Sequence, residues 1–448
     1  MEIASRGRPH LDELDRLRIL TALSVVAVHV VAYSTFLDRT TLALQVQNGF
    51  VTLFHFTREV FMFVTALALV YVYYGKPFSA ARFWKRRSVG VLVPYICWTV
   101  VYVRVNPHPA SPLLLAGTLA WDLLTGSASY QLYYILLTLE FYLLFPWFLA
   151  FLRRVERYPW RVLGISFALE VALLYAGQHA LGLLHLPAQG IGFVGGLLDR
   201  FVLAYQFYFV LGAFVALHLD EVRAFLLRHG AWVVGASVAG LVVLELHYAV
   251  MVEIEHAPLE SAVAVLQPIM AFYSLAVIAF LYWLTYRRSL ATRATGSLRG
   301  WRIWRRLSDA SFGVYLVHPL ILGPLLAAIH SLASWPVAVL VASAWLVTAA
   351  ASIGFTVLLL QIPLLSRLVG RASTRPLPAL AARVRAAAPA ARTAGGWAWP
   401  RGLGRWTATP AIAAPMPPTM GASRRLPEED KSQPGSQAMR LAERELAD

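Results

Sequence analysis

Arg18 and His29 are spaced so that both lie on one side of the first apolar segment of the chain. Eleven residues separate them, which is about three turns of an α-helix at ~3.6 residues per turn. Their side chains therefore point the same way, ~16 Å apart along the axis at ~1.5 Å per residue. An isolated histidine near the bilayer centre is costly, so His29 is a functional-site hypothesis. The structural alternative is a histidine that is only hydrogen-bonded to a neighbouring helix.

A second group of cations precedes the third apolar segment. Lys85, Arg86 and Arg87 end the short polar loop before it. Such a cluster usually only orients the chain in the membrane. The same groups would also bind the phosphates of a nucleotide-containing donor, because they pair strongly with phosphate oxygens. Arg58 and Glu59 begin the second apolar segment and face different sides of a helix. They are either a structural pair at the membrane edge or functional residues.

Polar and aromatic side chains mark the outer end of the fourth apolar segment. Gln131 and Tyr133 would contact a sugar hydroxyl there, or would belong to the aromatic belt of the membrane interface. Glu140 lies deep in the same segment and needs a partner that the sequence does not name.

The ninth apolar segment carries a second buried ionisable group, His318. Tyr315 and His318 are three residues apart and share one face of a helix. Ser308 or Asp309 is expected to cap the start of that helix, because both residue types accept hydrogen bonds from free backbone N–H groups.

The composition indicates a protein that crosses the membrane several times. Of 448 residues, 58% are hydrophobic and only 14% are charged, and the mean hydropathy is +0.60. A soluble protein has about a quarter charged residues. The apolar segments long enough to span a bilayer lie at about 18–37, 53–74, 88–105, 131–152, 160–178, 201–218, 232–251, 262–285, 311–330 and 336–362. The predicted fold is therefore an all-α polytopic membrane protein with about ten transmembrane helices.

The net charge of +15 raises the question of a nucleic-acid partner, but the positions of the cations argue against it. Lysine and arginine concentrate in alternate loops such as 75–87, 153–159 and 286–310. This is the positive-inside pattern, and it predicts that both termini are cytoplasmic. Cys97 is the only cysteine, so an intrachain disulfide and a cysteine metal site are both excluded.

Three regions follow from these patterns. Residues 1–17 form a cytoplasmic N-terminal segment, and residues 18–370 form the transmembrane domain. Residues 371–448 are rich in Ala, Pro, Arg and Gly, a composition that cannot bury enough apolar surface to fold, so a disordered cytoplasmic tail is predicted. The outer connections 106–130 and 179–200 are expected to hold short re-entrant or interfacial pieces.

Taken in chain order, these motifs resemble the membrane-bound acyltransferase 3 family over residues of about 11–371. The matching pieces are Leu14-Asp15-x-Leu17-Arg18 with His29, Phe56-Thr57-Arg58, Phe83 to Arg87 before Val93-Pro94-Tyr95, Tyr130 to Tyr134 before Tyr142 to Pro146, Leu307-Ser308 with Ser311 to Pro319, and Pro363 with Leu368-Val369-Gly370. The fourth-segment sequence looks most like the subgroup that modifies exopolysaccharides such as poly-N-acetylglucosamine.

Two departures from the family pattern bear on the substrates. The family's R-x-x-R motif is half present, because Arg87 matches it and Gly90 stands at the second arginine. Arg86 or Lys85 would compensate for the missing cation. Gln131 stands where the family often has histidine, a change that would alter the choice of acceptor.

The resemblance implies an integral membrane O-acyltransferase. It would move an acetyl or succinyl group from cytoplasmic acyl-CoA to a hydroxyl of a glycan or lipid-linked sugar. It would work in the bacterial inner (plasma) membrane, with acyl-CoA as donor substrate, no bound cofactor and no metal. A transporter that exports a polysaccharide or an anionic solute is the alternative function, and the sequence shows no inverted repeat of the kind that transporters have.

The resemblance also implies roles for the residues above. They divide into His29, Arg18 and Asp15 for catalysis, Arg87, Arg86, Lys85 and Arg58 for the donor, and Gln131, Tyr133, Tyr315 and His318 for the acceptor. His29 would act either as the general base toward the acceptor hydroxyl or as a nucleophile that forms a transient acyl-imidazole. Asp15, three residues before Arg18, would orient that arginine.

Overall fold

The structure is a computed structural model that describes residues 8–37, 40–107, 109, 111–183, 200–296, 298–330 and 335–371. Every regular element in these residues is helical. The α-helices are α1 (Asp12–Tyr33), α2 (Thr41–Leu53), α3 (Thr57–Tyr73), α4 (Ala80–Val105), α5 (Pro112–Thr125), α6 (Tyr133–Val155), α7 (Pro159–Leu183), α8 (Gln206–Leu217), α9 (Leu219–Arg228), α10 (Gly230–Ala249), α11 (Leu259–Ala262), α12 (Pro268–Ala294), α13 (Leu298–His330) and α14 (Val337–Gln361). Short 3-10 helices lie at Thr35–Leu37, Val202–Tyr205 and Leu365–Val369, and a π-helical turn lies at Val250–Ile254.

In the described part of the chain, nine helical segments are long and apolar enough to cross a membrane. A tenth is added when the segment ending in α8 and the following α9, which meet at 95°, are counted as one bent span. Each coincides with a predicted apolar segment, so the all-α polytopic fold is confirmed. The chain is a multi-pass membrane protein. The orientation of its termini stays a prediction from loop charge.

The predicted outer pieces differ in how much of them is described. Residues 106–130 contain the apolar helix α5, and Leu113 at its start is 82% exposed, as expected of a piece that lies against lipid. Most of the piece predicted in 179–200 lies outside the described residues. The predicted disordered tail also lies outside them, except for Arg371.

Helix α1 occupies the centre of the bundle. It packs against α2, α3, α12, α13 and α14, and Leu17, Ala22, Val26 and Val30 are fully buried along it. A helix that is apolar on nearly all sides buries best when neighbours surround it. Arg18 and His29 of α1 are thereby held inside the protein rather than against lipid.

The first turn of α1 is polar, yet it is also buried. The helix begins at Asp12, six residues before the predicted span, because acidic residues stabilise a helix N-terminus. Glu13 forms an ion pair with Arg223 of α9, and Asp12 pairs with Arg293 of α12 at 2.8 Å. These pairs fix the beginning of α1 to two other helices.

The prediction that Ser308 or Asp309 caps the ninth span is wrong. Helix α13 already begins at Leu298, because the arginine-rich stretch before Ser308 consists largely of good helix formers. Both residues therefore lie inside the helix and bind other segments. Ser308 donates a hydrogen bond to Asp15 of α1 at 2.9 Å, and Asp309 forms an ion pair with Arg371.

Candidate active site

A cavity of about 720 Å³ opens beside the beginning of α1. We call it the inner cavity, after the predicted orientation of the chain. Its ionisable lining residues are Arg8, His10, Asp15, Arg18, Lys76, Tyr71, Arg87, Tyr134, Tyr142, Tyr315 and Arg371. Cavities of about 300–1,000 Å³ are typical of small-molecule sites, and the excess of cations favours a phosphorylated ligand.

Arg18 lies on the wall of the inner cavity. Asp15, Tyr142, Arg87 and Arg371 act on it electrostatically. Asp15 comes from the preceding turn of α1, whereas Arg87 comes from α4. Arg18, Arg87 and Arg371, together with Arg8 and Lys76 of the same lining, outnumber the carboxylates of Asp15 and Asp309, which leaves positive charge available for an anionic ligand.

Of the basic cluster on α4, Arg87 is the member that lines the inner cavity. Its Nε donates to the Tyr73 hydroxyl at 3.3 Å, and its guanidinium lies 5.7 Å from the centroid of that ring. Lys85 and Arg86 are exposed and lie outside the lining that the described residues form, because successive residues of a helix face different directions. The placement favours Arg87 for donor binding and gives no support to Lys85 and Arg86.

Arg371 supplies a cation next to Gly90. The backbones of Gly90 and Gly370 approach closely, since a Cβ on Gly370 would lie 2.8 Å from the Gly90 carbonyl oxygen. Gly370 has a φ of 72°, a left-handed conformation that glycine adopts without strain. This turn directs Arg371 to the inner cavity, so the end of the domain provides a charge near the position where the family pattern has its second arginine.

Asp15 uses both of its carboxylate oxygens. Oδ2 bonds to His10 Nε2 at 2.6 Å, and Oδ1 accepts from the Ser308 hydroxyl at 2.9 Å. The hydrogen bond that His10 donates to Asp15 raises the pKa of His10, because a carboxylate stabilises the imidazolium form. The acid that we expect to orient Arg18 is thus itself fixed by two other segments.

The bond between His10 and Asp15 predicts a pH-dependent stability. A raised pKa means that the folded protein holds this proton more tightly than the unfolded chain does. The stabilisation is therefore complete below the ordinary histidine pKa of 6.5 and is lost as the pH rises through the raised pKa. We expect the unfolding temperature of His10→Ala in detergent to lie below that of the wild type at low pH and to approach it at high pH.

The control is His10→Gln, which keeps a hydrogen-bond donor near Asp15 but does not titrate. Its difference from His10→Ala should not change with pH. A gap between wild type and His10→Ala that is equal at acidic and alkaline pH would contradict the assignment.

A second cavity of about 250 Å³ lies further along α1, and we call it the outer chamber. Its ionisable and amide-bearing lining residues are His29, Tyr33, His55, Arg58, Tyr130, Gln131, Tyr133, Tyr134 and Tyr315. The ring centroid of His29 lies 4.2 Å from that of Tyr130. Arg18 and His29 thus face two different cavities along one helix.

The structure places Arg58 in the outer chamber and not with the inner-cavity cations. Its Nη1 donates to the Tyr205 hydroxyl at 3.0 Å, and its guanidinium lies 5.7 Å from the Tyr133 ring centroid. The chain reverses between α3 and α4, so Arg58 and Arg87, near the starts of these two helices, lie at opposite ends of the bundle. Arg58 is therefore separated from the other cations predicted to bind the donor, and its role in donor binding stays a prediction.

The orientation of His318 follows from the proline after it. Pro319 lies inside α13 and has no N–H, so the Tyr315 carbonyl loses its usual helical donor. His318 Nδ1 binds that carbonyl instead, at 2.8 Å. Because a carbonyl oxygen only accepts, Nδ1 carries the proton and Nε2 has a free lone pair.

His318 packs against His29. Its side chain is fully buried, and its ring stacks on that of His29 with centroids 5.3 Å apart. Nε2 of His318 has no hydrogen-bond partner among the described residues. A buried acceptor without a donor is costly, which makes this nitrogen a candidate for a proton. His318 is not among the described residues that line the outer chamber.

Gln131 and Tyr315 fix each other at the wall of the outer chamber. The Tyr315 hydroxyl donates to the Gln131 backbone carbonyl, and Gln131 Nε2 donates to the Leu316 carbonyl at 3.4 Å. Gln131 Oε1 is buried and finds no partner in the described part of the chain. A ligand hydroxyl would satisfy this oxygen.

A comparison with protein-family models decides the class of protein. The model Acyl_transf_3, described as an acyltransferase domain, matches residues 11–361. The chain belongs to the acyltransferase 3 family. The protein is therefore an acyltransferase that transfers groups other than amino-acyl groups, and it works in a membrane. Comparisons with curated proteins and with solved structures give no significant match.

The acyltransferase contains one further candidate residue that the sequence did not single out. His55 lies in the turn between α2 and α3 and lines the outer chamber. Its Nδ1 is buried without a partner among the described residues. The only signal in the sequence is its position three residues before Arg58. Within the same described residues, no group of three His, Cys, Asp or Glu side chains is arranged to hold a metal ion.

Proposed function

We propose that this acyltransferase moves an acetyl or succinyl group from cytoplasmic acyl-CoA to a hydroxyl of a glycan or lipid-linked sugar, such as an exopolysaccharide. The main support is the arrangement of two cavities along α1, with arginines in the inner cavity and His29 in the outer chamber. Acyl-CoA has phosphates at one end and a thioester at the other, so it needs a cationic binding site that is separate from the site of reaction.

The donor occupies the inner cavity. Arg18, Arg87 and Arg371 all line it and bind the phosphates of CoA, because guanidinium groups pair with phosphate oxygens in a bidentate manner. The narrow pantetheine arm then follows α1 over the ~16 Å between Arg18 and His29, at ~1.5 Å per residue. The thioester thereby reaches the outer chamber while the charged nucleotide stays near water.

The acceptor occupies the outer chamber. Gln131 Oε1 accepts a hydrogen bond from a sugar hydroxyl, since it has no other donor in the described residues. Tyr133 and Tyr33 line the same chamber and offer ring faces and hydroxyl groups to a sugar. The chamber therefore presents the reacting hydroxyl to His29.

The transfer itself is a direct displacement. His29 takes the proton of the acceptor hydroxyl as general base, and the oxygen forms a bond to the acyl carbon. Arg58, a cation in the same chamber, stabilises the negative charge on the carbonyl oxygen. The carbon–sulfur bond then breaks, the electron pair leaves with the CoA sulfur, and that thiolate takes the proton from His29.

The alternative role of His29 as a nucleophile predicts an acyl-enzyme. We favour the general base because His29 lies in the chamber that we assign to the acceptor, beside His318 with its free lone pair. If the protein itself becomes labelled during a brief reaction with radioactive acetyl-CoA in the absence of acceptor, His29 would instead be the nucleophile.

The function is tested with purified protein, radiolabelled acetyl-CoA or succinyl-CoA, and the glycan fraction of the source membrane. We expect free CoA and labelled glycan in equal amounts. Absence of both with either donor would contradict the proposal. Movement of unmodified polymer across a vesicle membrane without release of CoA would support a transporter instead.

A further inference from the structure

Three aromatic residues line both cavities. Phe61 of α3, Tyr134 of α6 and Tyr315 of α13 belong to the walls of the inner cavity and of the outer chamber. They are the residues that the two linings have in common, and we call them the aromatic gate. A group that moves from Arg18 to His29 inside the bundle has to pass them.

The three rings touch one another. The centroid distances are 5.4 Å between Phe61 and Tyr134, 6.0 Å between Phe61 and Tyr315, and 5.7 Å between Tyr134 and Tyr315. Two of these contacts are edge-to-face, an arrangement in which aromatic pairs attract each other. The rings thus close the path between the cavities unless one of them moves.

The members of the gate differ in how firmly they are held. Tyr315 is 5% exposed and donates its hydroxyl to the Gln131 backbone. Phe61 has no polar atom and is only partly buried, so packing alone holds its ring. Tyr134 is also only partly buried, but its hydroxyl hydrogen-bonds with the Thr65 side chain. Phe61 is therefore the ring that rotates at the lowest cost.

The volume of the outer chamber also limits the length of the acyl chain that can enter it. In an acyl-CoA the acyl chain lies beyond the thioester, so the chain enters the chamber first and stays there while the carbonyl reacts. The chamber has a volume of about 250 Å³, below the range of about 300–1,000 Å³ that is typical of small-molecule pockets, and it must hold the acceptor hydroxyl as well.

Resting on the function proposed above, we propose that the aromatic gate, with Phe61 as its moving member, selects short acyl groups and excludes longer chains from His29. Removal of the Phe61 ring joins the two cavities and adds space for the acyl chain. One methylene in an apolar pocket changes discrimination by about tenfold or more. Discrimination against an acyl chain several carbons longer than acetyl therefore depends strongly on the Phe61 ring.

The test compares acetyl-CoA, butyryl-CoA and hexanoyl-CoA as donors for wild type and Phe61→Ala. We expect the ratio of kcat/KM for hexanoyl-CoA to that for acetyl-CoA to rise by at least about tenfold in the variant. Phe355→Ala is the matched control, because Phe355 lies on α14, is 41% exposed and lines neither cavity. Its ratio should equal that of the wild type.

Binding of unacylated CoA distinguishes a Phe61 variant with altered donor selectivity from one that has lost its folded structure. Phe61→Ala should still bind CoA, because the arginines that bind its phosphates are unchanged. If Phe61→Ala does not bind CoA, the same donor ratio is measured with Phe61→Leu, which keeps an apolar side chain. This ratio is also expected to rise. An unchanged donor ratio in the variant that binds CoA would overturn the gate and leave the proposed function intact. Absence of transfer by the wild type from these three donors and from succinyl-CoA would overturn both.

Discussion

His29→Ala is expected to lower kcat for acyl transfer by about 10²- to 10⁴-fold, the range that a general base contributes. His29 is the histidine of α1 that faces the outer chamber, and the acceptor hydroxyl is a poor nucleophile until its proton is removed. KM for acyl-CoA should change little, because Arg18, Arg87 and Arg371 remain in the inner cavity. The measurement is the initial rate of labelled acetyl transfer by purified protein.

The matched control for this variant is His179→Ala. His179 is exposed on α7, and its Nδ1 contacts the Tyr175 carbonyl at 2.9 Å. Its removal should leave the rate unchanged. A rate for His29→Ala that equals the wild-type rate, in protein that binds CoA normally, would exclude His29 as base and as nucleophile.

Arg87→Gln is expected to raise KM for acyl-CoA by about tenfold to a hundredfold while kcat stays within about twofold. A hydrogen bond to a charged group is worth about 1.5–3 kcal/mol, and 1.4 kcal/mol corresponds to a tenfold change in affinity. The effect falls on KM because Arg87 lies in the inner cavity, at the end of the bundle away from His29. The measurement is the dependence of the initial rate on acyl-CoA concentration.

Arg86→Gln provides the control, since Arg86 is the neighbouring residue of the same helix and is exposed. Its KM should stay within about threefold of the wild type, because screened surface charges act weakly on a distant ligand. Equal effects of the two substitutions would mean that the cluster acts only through its net charge. A larger effect at Arg86 would contradict the assigned donor site.

Hydrophobic length predicted the fold well. The apolar segments of the sequence recur as spans, because in a membrane every backbone group must bond within its own helix. Helix ends were predicted less well. The sequence pattern did not place the start of α13 at Leu298 or that of α1 at Asp12, since both ends extend into charged residues that an apolar count excludes.

The placement of Arg18 and His29 on one helix was predicted correctly, while their roles stay predictions. The separation of Arg18 and His29 follows from helical geometry alone. The sequence did not predict in this way which residues from other segments lie near Arg18 and His29. His55 stands in a turn, Arg371 follows the last helix of the domain, and Arg58 lies apart from the other cations predicted to bind the donor. Nothing local in the sequence specifies how helices distant in the chain pack together.

The aromatic gate illustrates the same limit. Phe61, Tyr134 and Tyr315 come from three helices far apart in sequence, and of the three only Tyr315 was predicted to be a site residue. Only the packing of α3, α6 and α13 makes them a shared wall of two cavities. A role in selecting the acyl group is therefore a property of the assembled bundle.

The central claim is that the donor enters at the Arg18 end and the acyl group is transferred at the His29 end. The most direct test supplies labelled acetyl-CoA, which does not cross membranes, to sealed inside-out and right-side-out vesicles that contain the protein and acceptor glycan. We expect labelled glycan from the inside-out vesicles, whose cytoplasmic face is exposed, and none from right-side-out vesicles. Inside-out vesicles with His29→Ala should label the glycan about 10²- to 10⁴-fold more slowly. Equal labelling of both kinds of vesicle, or labelling of the right-side-out vesicles alone, would contradict it.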